Sequence, residues 1–169
     1  MGVCGSGKST LGRHLAQAAE LRFVAGDDLH PPANIAKMSA GMALTDDDRW
    51  PWLDRVAAEL RSPGCTVSCS ALKRIYRDFI RRRVGRDVLF VLPEVRHEVL
   101  VSRLNNRPGH YMPSCLLDSQ IAVLQRPEPD ELALMVDGTQ SPRLLVDEIV
   151  KFLAARSRPV RLTAPECEE

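Results

Sequence analysis

Gly2-Val3-Cys4-Gly5-Ser6-Gly7-Lys8-Ser9-Thr10 satisfies the pattern G-x-x-x-x-G-K-[ST], with Gly2, Gly7, Lys8 and Ser9 at the defined positions. Glycines let the backbone curl until successive N–H groups point at phosphate oxygens. A lysine in this place reaches the β and γ phosphates, and the hydroxyl after it can ligate Mg²⁺. Leu11, Leu15, Ala18 and Ala19 then share one face, so Lys8 to Glu20 reads as a helix whose N-terminus faces the same anion. A nucleoside triphosphate is the expected ligand of Gly2 to Thr10. A chance glycine-rich turn is the competing reading, and the amphipathic helix directly after Gly-Lys-Ser-Thr argues against it.

The chain has 169 residues, 44% hydrophobic and 27% charged, as expected of one globular domain with a real core. A formal charge of +1 lacks the basic bias of a dedicated nucleic-acid binder. No apolar run approaches the length of a membrane span and no signal-peptide pattern opens the chain, so a cytoplasmic location without membrane or nucleic-acid partners is expected. Cys4, Cys65, Cys69, Cys115 and Cys167 lack metal-ligand spacing, and Cys65 and Cys69 read as small strand residues rather than a disulfide or metal pair. Nineteen arginines accompany four lysines, of which Lys8, Lys37 and Lys73 fall in polar motif segments.

Beyond the opening helix, short apolar runs alternate with helical patterns. Strands are expected at Arg22–Ala25, Cys65–Cys69, Val88–Leu92 and Leu132–Val136, the third unbroken and apolar in the manner of a parallel strand buried on both faces. Helices are expected at Asn34–Ala40, from Thr45 to about Arg61, and at Leu72–Val84, Val95–Asn106, Leu116–Leu124 and Ser141–Ala155. This alternation predicts an α/β domain over residues 1–156, a parallel sheet with helices on both faces. The polar, proline-bearing stretch of about 107–129 suits a lid, and 157–169 reads as a disordered tail. Ligands of such sheets bind at the carboxyl ends of the strands, which gathers the polar motifs along one edge.

Each motif has two readings from its residues alone. Asp27, in Gly26-Asp27-Asp28-Leu29-His30, is placed either to orient an attacking hydroxyl and take its proton or to cap a helix. Asp46-Asp47-Asp48 complements a helix dipole, while the planar fork of Arg49 suits a substrate carboxylate. Lys73 and Arg77 share a helical face and could form a basic pocket. Arg103 and Arg107, also four residues apart, either neutralise a transferring phosphate at the foot of the lid or solvate a surface.

Taken in order, these segments resemble the gluconokinase family of small P-loop kinases. The likeness rests on residues 1–10, on Gly26-Asp-Asp-Leu-His-Pro-Pro-Ala-Asn34 with Lys37-Met38, and on Leu44-Thr-Asp-Asp-Asp-Arg-Trp-Pro-Trp-Leu53. Cys69-Ser-Ala-Leu-Lys-Arg-Ile-Tyr-Arg-Asp78, Ser102-Arg-Leu104, Arg107-Pro-Gly-His-Tyr-Met112 and Leu116–Leu124 continue it. The resemblance implies a P-loop NTPase fold and transfer of phosphate from ATP, with Mg²⁺, to D-gluconate. On that reading Gly2 to Thr10 hold ATP, and Ser9 ligates the metal. Asp27 faces the 6-hydroxyl, and Lys8, Arg103 and Arg107 act on the phosphates. His30, Arg49, Lys73 and Arg77 form the sugar-acid pocket. A homodimer is also implied.

Three departures accompany the likeness. Ala25 stands where the family has Asp, and the lid reads Gln120-Ile-Ala-Val-Leu124 in place of Gln-Phe-Glu-Thr-Leu. The family also carries a central strand ahead of the loop, where this sequence has only Met1. The expectation is a late start within a longer frame, with two ladders left unpaired. The alternatives are a nucleotide-binding homologue of weak or no activity, and a kinase for another small hydroxy acid.

Overall fold

The computed structural model describes residues 1–106 and 115–156. Helix α1 (Lys8–Ala18) leaves the glycine loop, strand β1 (Arg22–Ala25) follows, and a 3₁₀ turn at Gly26–Leu29 leads to α2 (Pro32–Ser39). Next come α3 (Asp46–Arg61), β2 (Cys65–Ser68), α4 (Arg74–Val84), β3 (Phe90–Glu94) and α5 (His97–Asn105). The chain continues through α6 (Cys115–Val123), β4 (Ala133–Asp137) and α7 (Pro142–Arg156). The third strand begins two residues later than its apolar run suggests. Phe90 N–H is the first to meet the neighbouring chain, at Leu132 O (3.0 Å), so Val88 and Leu89 lead into the ladder without joining it.

β1 runs parallel to β2, with Arg22 opposite Cys65 and Ala25 opposite Ser68. β3 runs parallel to β4, with Phe90 opposite Ala133 and Glu94 opposite Asp137. Met1 and Gly2 tie the two ribbons together. The Met1 amino group donates to Val91 O (2.6 Å) and Gly2 N–H to Ser70 O (2.9 Å). Beyond that tie an apolar cavity of about 270 Å³, lined by Val67, Cys69, Val88 and Phe90, separates them. Among the described residues β2 and β3 do not pair with each other.

Alternation along β3 sends side chains to opposite faces of the sheet. Phe90 and Leu92 join Trp52, Leu53 and Val56 of α3 and Tyr76 and Ile80 of α4 in one core. Val91 packs on the other side with Leu11 of α1, Val136 of β4 and Leu145, Val146 and Ile149 of α7. A third cluster joins the loop residues Val3 and Cys4 to Leu72, Leu100 of α5 and Leu117 of α6. Of the segment expected as a lid, residues 107–114 lie outside the described residues, as does the expected tail. The part that is described is docked, since Gln125 N–H donates to Leu72 O (2.9 Å). Cys4, Cys65 and Cys69 are free thiols. Among the described residues no helix is long and apolar enough to cross a membrane.

α3 starts where its sequence says it should. Thr45 Oγ1 accepts from Asp48 N–H (3.3 Å) and Asp48 accepts from Thr45 N–H (2.9 Å), a reciprocal cap. α4 departs from expectation in what it buries. Arg77 is 0% exposed and forms a bidentate pair with the equally buried Glu131 (2.5 and 2.7 Å). Its remaining nitrogen donates to Ala71 O, Leu72 O and Gln125 O. One guanidinium thereby joins α4, the turn after β2 and the approach to β4.

Removing one partner of such a pair leaves an uncompensated charge in the interior, a loss of about 3–5 kcal/mol, whereas replacing both by apolar groups is often neutral. Glu131→Leu is expected to lower the urea-unfolding free energy by about that amount. Arg77→Met/Glu131→Leu is expected to recover most of it. Equal destabilisation of the single and double variants would contradict the strut.

Candidate active site

The phosphate loop sits between the two ribbons and turns into α1 through Gly7, whose φ of +89° is a left-handed conformation that side chains resist. No side chain caps α1, so its first-turn amides face the cleft uncapped. Lys8 folds over the loop and donates to Val3 O (3.1 Å). Cys4 N–H donates to Gln120 Oε1 (2.7 Å), pinning the loop to α6. Ser9 Oγ lies 3.2 Å from Ser68 Oγ at the end of β2.

Across from the loop, β1 ends at Gly26, where a Cβ would lie 2.4 Å from Ser68 O. Only glycine allows the chain to pass this close to β2, and the passage delivers Asp27 and His30 to the cleft. That cleft has a volume of about 370 Å³. Cys4 to Thr10 line one wall, Asp27, His30 and Arg49 another, and Arg103 the rim. Arg103 bridges two segments, donating to Gly5 O (3.4 Å) and Gly138 O (2.9 Å). Arg49 donates to Leu44 O (3.4 Å) and lies 5.7 Å from the Tyr76 ring centre.

Two expected pocket cations are elsewhere. Arg77 is sealed in the interior against Glu131 and does not line the cleft. Lys73 does not line it either, because its ammonium is held by Asp46 (2.7 and 2.9 Å). Tyr76 also donates to Asp46 (2.5 Å), and these two partners hold the Asp46 carboxyl below its usual range. Lys73 thus fastens the start of α4 to the start of α3. Their spacing suggested one shared helical face, but α4 begins only at Arg74: Lys73 is the extended residue before it and stays partly exposed, while Arg77 points into the interior. Gly2 and Val3 form the base of the loop beneath the cleft, and Arg107 lies outside the described residues.

Residues that the motifs did not single out complete the site. Trp52 is 1% exposed and its indole N–H donates to Gly26 O (2.7 Å). The ring stacks on His30 with centroids 4.4 Å apart and planes 11° from parallel. Asn34, also buried, bridges His30 and Asp48 O. Gly138 and Gln140, in the turn after β4, and Pro142 at the start of α7 extend the cleft past Thr10 and Arg13. Their one sequence signal is a turn at a strand's carboxyl end.

His30 is neutral at ordinary pH. Burial lowers its pKa from 6.5 to about 4, with Asp27 pulling up and Arg49 pushing down. Between those values the unfolded chain binds a proton that the folded one refuses, so stability rises with pH across that window. Asp48 is shifted in the same direction. Hydrogen bonds from Lys37 and Thr45 lower it to about 2, so its contribution is lost only below about pH 4. Chemical denaturation of wild type and His30→Gln from pH 7 to 3 is expected to show the upper slope in wild type alone and the lower loss in both. An identical upper slope in the variant would contradict a buried neutral imidazole.

No protein-family model matches the chain. Gluconokinase of Gluconobacter oxydans (strain 621H) is 42% identical over 162 residues, covering 92% of this chain and 89% of that protein. Gluconokinase of Arabidopsis thaliana is 37% identical over 179 residues, covering 94% and 93%. Among solved structures, a gluconokinase from Sinorhizobium meliloti 1021 superposes with a TM-score of 0.81 at 42% identity, over 94% of this chain and 95% of that one. A shikimate kinase from Aquifex aeolicus, at 16% identity and a TM-score of 0.59, shares the fold alone. Identity at this level over nearly the whole length, on this fold and around this cleft, shows that the chain belongs to the gluconokinase family.

Proposed function

We infer that this protein transfers the γ-phosphoryl group of ATP to the 6-hydroxyl of D-gluconate, giving 6-phospho-D-gluconate and ADP. The observation that carries this reading is that an uncapped phosphate loop and the Asp27, His30 and Arg49 side chains line one cleft. The hydroxyl oxygen attacks the γ phosphorus, the bond to the β–γ bridging oxygen breaks, and ADP leaves with that electron pair. The hydroxyl proton passes to Asp27, which faces the loop from the end of β1.

Phosphoryl transfer needs positioning and charge more than covalent help. The α1 amides and Lys8 hold the nucleotide phosphates, and Arg103, clamped between Gly5 and Gly138, offers its other N–H groups to the transferring phosphoryl. Arg49 meets the gluconate carboxylate. With Lys73 and Arg77 committed elsewhere, it is the cation on the acceptor wall.

Mg²⁺ held with a nucleotide takes one or two protein oxygens and fills its shell with phosphate and water. Ser9 Oγ beside Ser68 fits that demand, and among the described residues no acidic or thiol cage competes for the ion. Bound there, the ion would neutralise charge on the nucleotide phosphates.

A coupled ADP-release assay with gluconate, shikimate and AMP as acceptors tests the assignment. Turnover is expected with gluconate. Lys8→Ala is expected to lower kcat by at least about a hundredfold. Arg49→Ala removes a charge-assisted contact and is expected to raise the gluconate KM roughly ten- to hundredfold, with the ATP KM within about twofold. Turnover with shikimate or AMP but not gluconate, or equal shifts in both KM values, would overturn the reading.

A further inference from the structure

His30 belongs to the acceptor wall, and its surroundings specify the position of its proton. Asn34 Nδ2 donates to Asp48 O (2.8 Å), a carbonyl that can only accept, so this contact settles which end of the amide carries the hydrogens. The second amide hydrogen faces His30 Nδ1 at 3.4 Å. An N–H aimed at Nδ1 requires that nitrogen to be bare. A neutral imidazole carries one proton, which is therefore on Nε2. Nε2 has no hydrogen-bond partner among the described residues, and the ring lines the cleft between Asp27 and Arg49.

Trp52 holds the same ring from its flat side. One indole both stacks on His30 and donates to the carbonyl of Gly26, the residue before Asp27. Its placement links the orientation of the imidazole to that of the carboxylate three residues earlier. His30 and Trp52 are 8% and 1% exposed, so neither ring has room to turn.

We propose that His30 is a neutral donor of fixed tautomer whose Nε2–H binds a hydroxyl of the acceptor, and that Asn34 and Trp52 are positioning residues that set its tautomer and ring plane. The proposal rests on the kinase reading and deepens it. Recognition is divided: Arg49 answers the charge of a sugar acid, and His30 answers a hydroxyl on its carbon chain. A donor buried for a hydroxyl is left unpaired by an analogue lacking it, so the arrangement selects polyhydroxy acids over simple carboxylates.

The test uses the full chain in two arms. In the first, long-range ¹H–¹⁵N spectra at neutral pH report the ring nitrogens, with His30 signals assigned by their absence in His30→Gln. The expected spectrum has a protonated Nε2 and a bare Nδ1, and Asn34→Leu is expected to mix the tautomers. A protonated Nδ1, or a doubly protonated ring, in wild type would overturn the proposal.

In the second arm, a glutamine amide reaches the place of Nε2, whereas an asparagine amide reaches only that of Nδ1. His30→Gln is expected to keep the gluconate KM within about threefold, while His30→Asn raises it about tenfold, both with unchanged ATP KM. Trp52→Phe keeps the stack and loses the indole donor, and is expected to raise the gluconate KM and lower kcat together. Equal loss in the Gln and Asn variants, or a matching shift in ATP KM, would overturn the donor role. If wild type proves to phosphorylate a different acceptor, the gluconate assignment fails, and the spectra still decide the tautomer.

Discussion

The structure depends on a loop of backbone amides seated on the sheet and pinned by the Gln120, Lys8 and Arg103 side chains. Gly2 N–H reaches Ser70 O while the Met1 amino group reaches Val91 O, so the loop starts from a seam between two parallel ribbons. From that seam the chain has to turn sharply into α1, and Gly7 supplies the left-handed residue. The first turn of α1, with no side-chain cap, then lines the cleft. Other parts of the site are arranged about that turn. Gly26 passes against Ser68 to bring Asp27 opposite, and Arg103 spans from Gly5 to the turn after β4.

A second constraint is the use of cations. Many arginines and lysines on this chain are spent on architecture. Arg77 neutralises Glu131 in the interior, Lys73 fastens Asp46, and Lys37 holds the Asp48 cap. Arg74 pairs with Glu128 and Asp130, anchoring α4 to the segment before β4. Among the described residues, the cations that line the cleft are Lys8, Arg13, Arg49 and Arg103. An acceptor wall with one guanidinium and one neutral imidazole suits a monoanion rich in hydroxyls better than a second phosphate.

Much of this was legible in the residues. The phosphate loop, the alternation of strands and helices, and the rule that ligands gather at carboxyl strand ends together place Gly2 to Ser9, Asp27 to His30, Ser70 to Lys73 and Pro93 on one edge, and Arg49 joins them through the family resemblance. The cap at Thr45 follows from its own sequence. The positions of Lys73 and Arg77 were not legible, because a spacing of four shows neither that the helix starts only after Lys73 nor what each side chain meets. Their partners, Asp46 and Glu131, are 27 and 54 residues away. Trp52 was hidden for the same reason. Its acceptor is the carbonyl of Gly26, a contact that depends on α3 crossing the end of β1.

The central claim is that donor and acceptor occupy opposite walls of a single cleft. Calorimetric titration with an analogue joining the 6-oxygen of gluconate to the terminal phosphate of adenosine tetraphosphate tests it most directly. The account predicts binding much tighter than that of ADP or gluconate alone, weakened by Lys8→Ala and by Arg49→Ala. An affinity equal to that of ADP and indifferent to Arg49→Ala would contradict it.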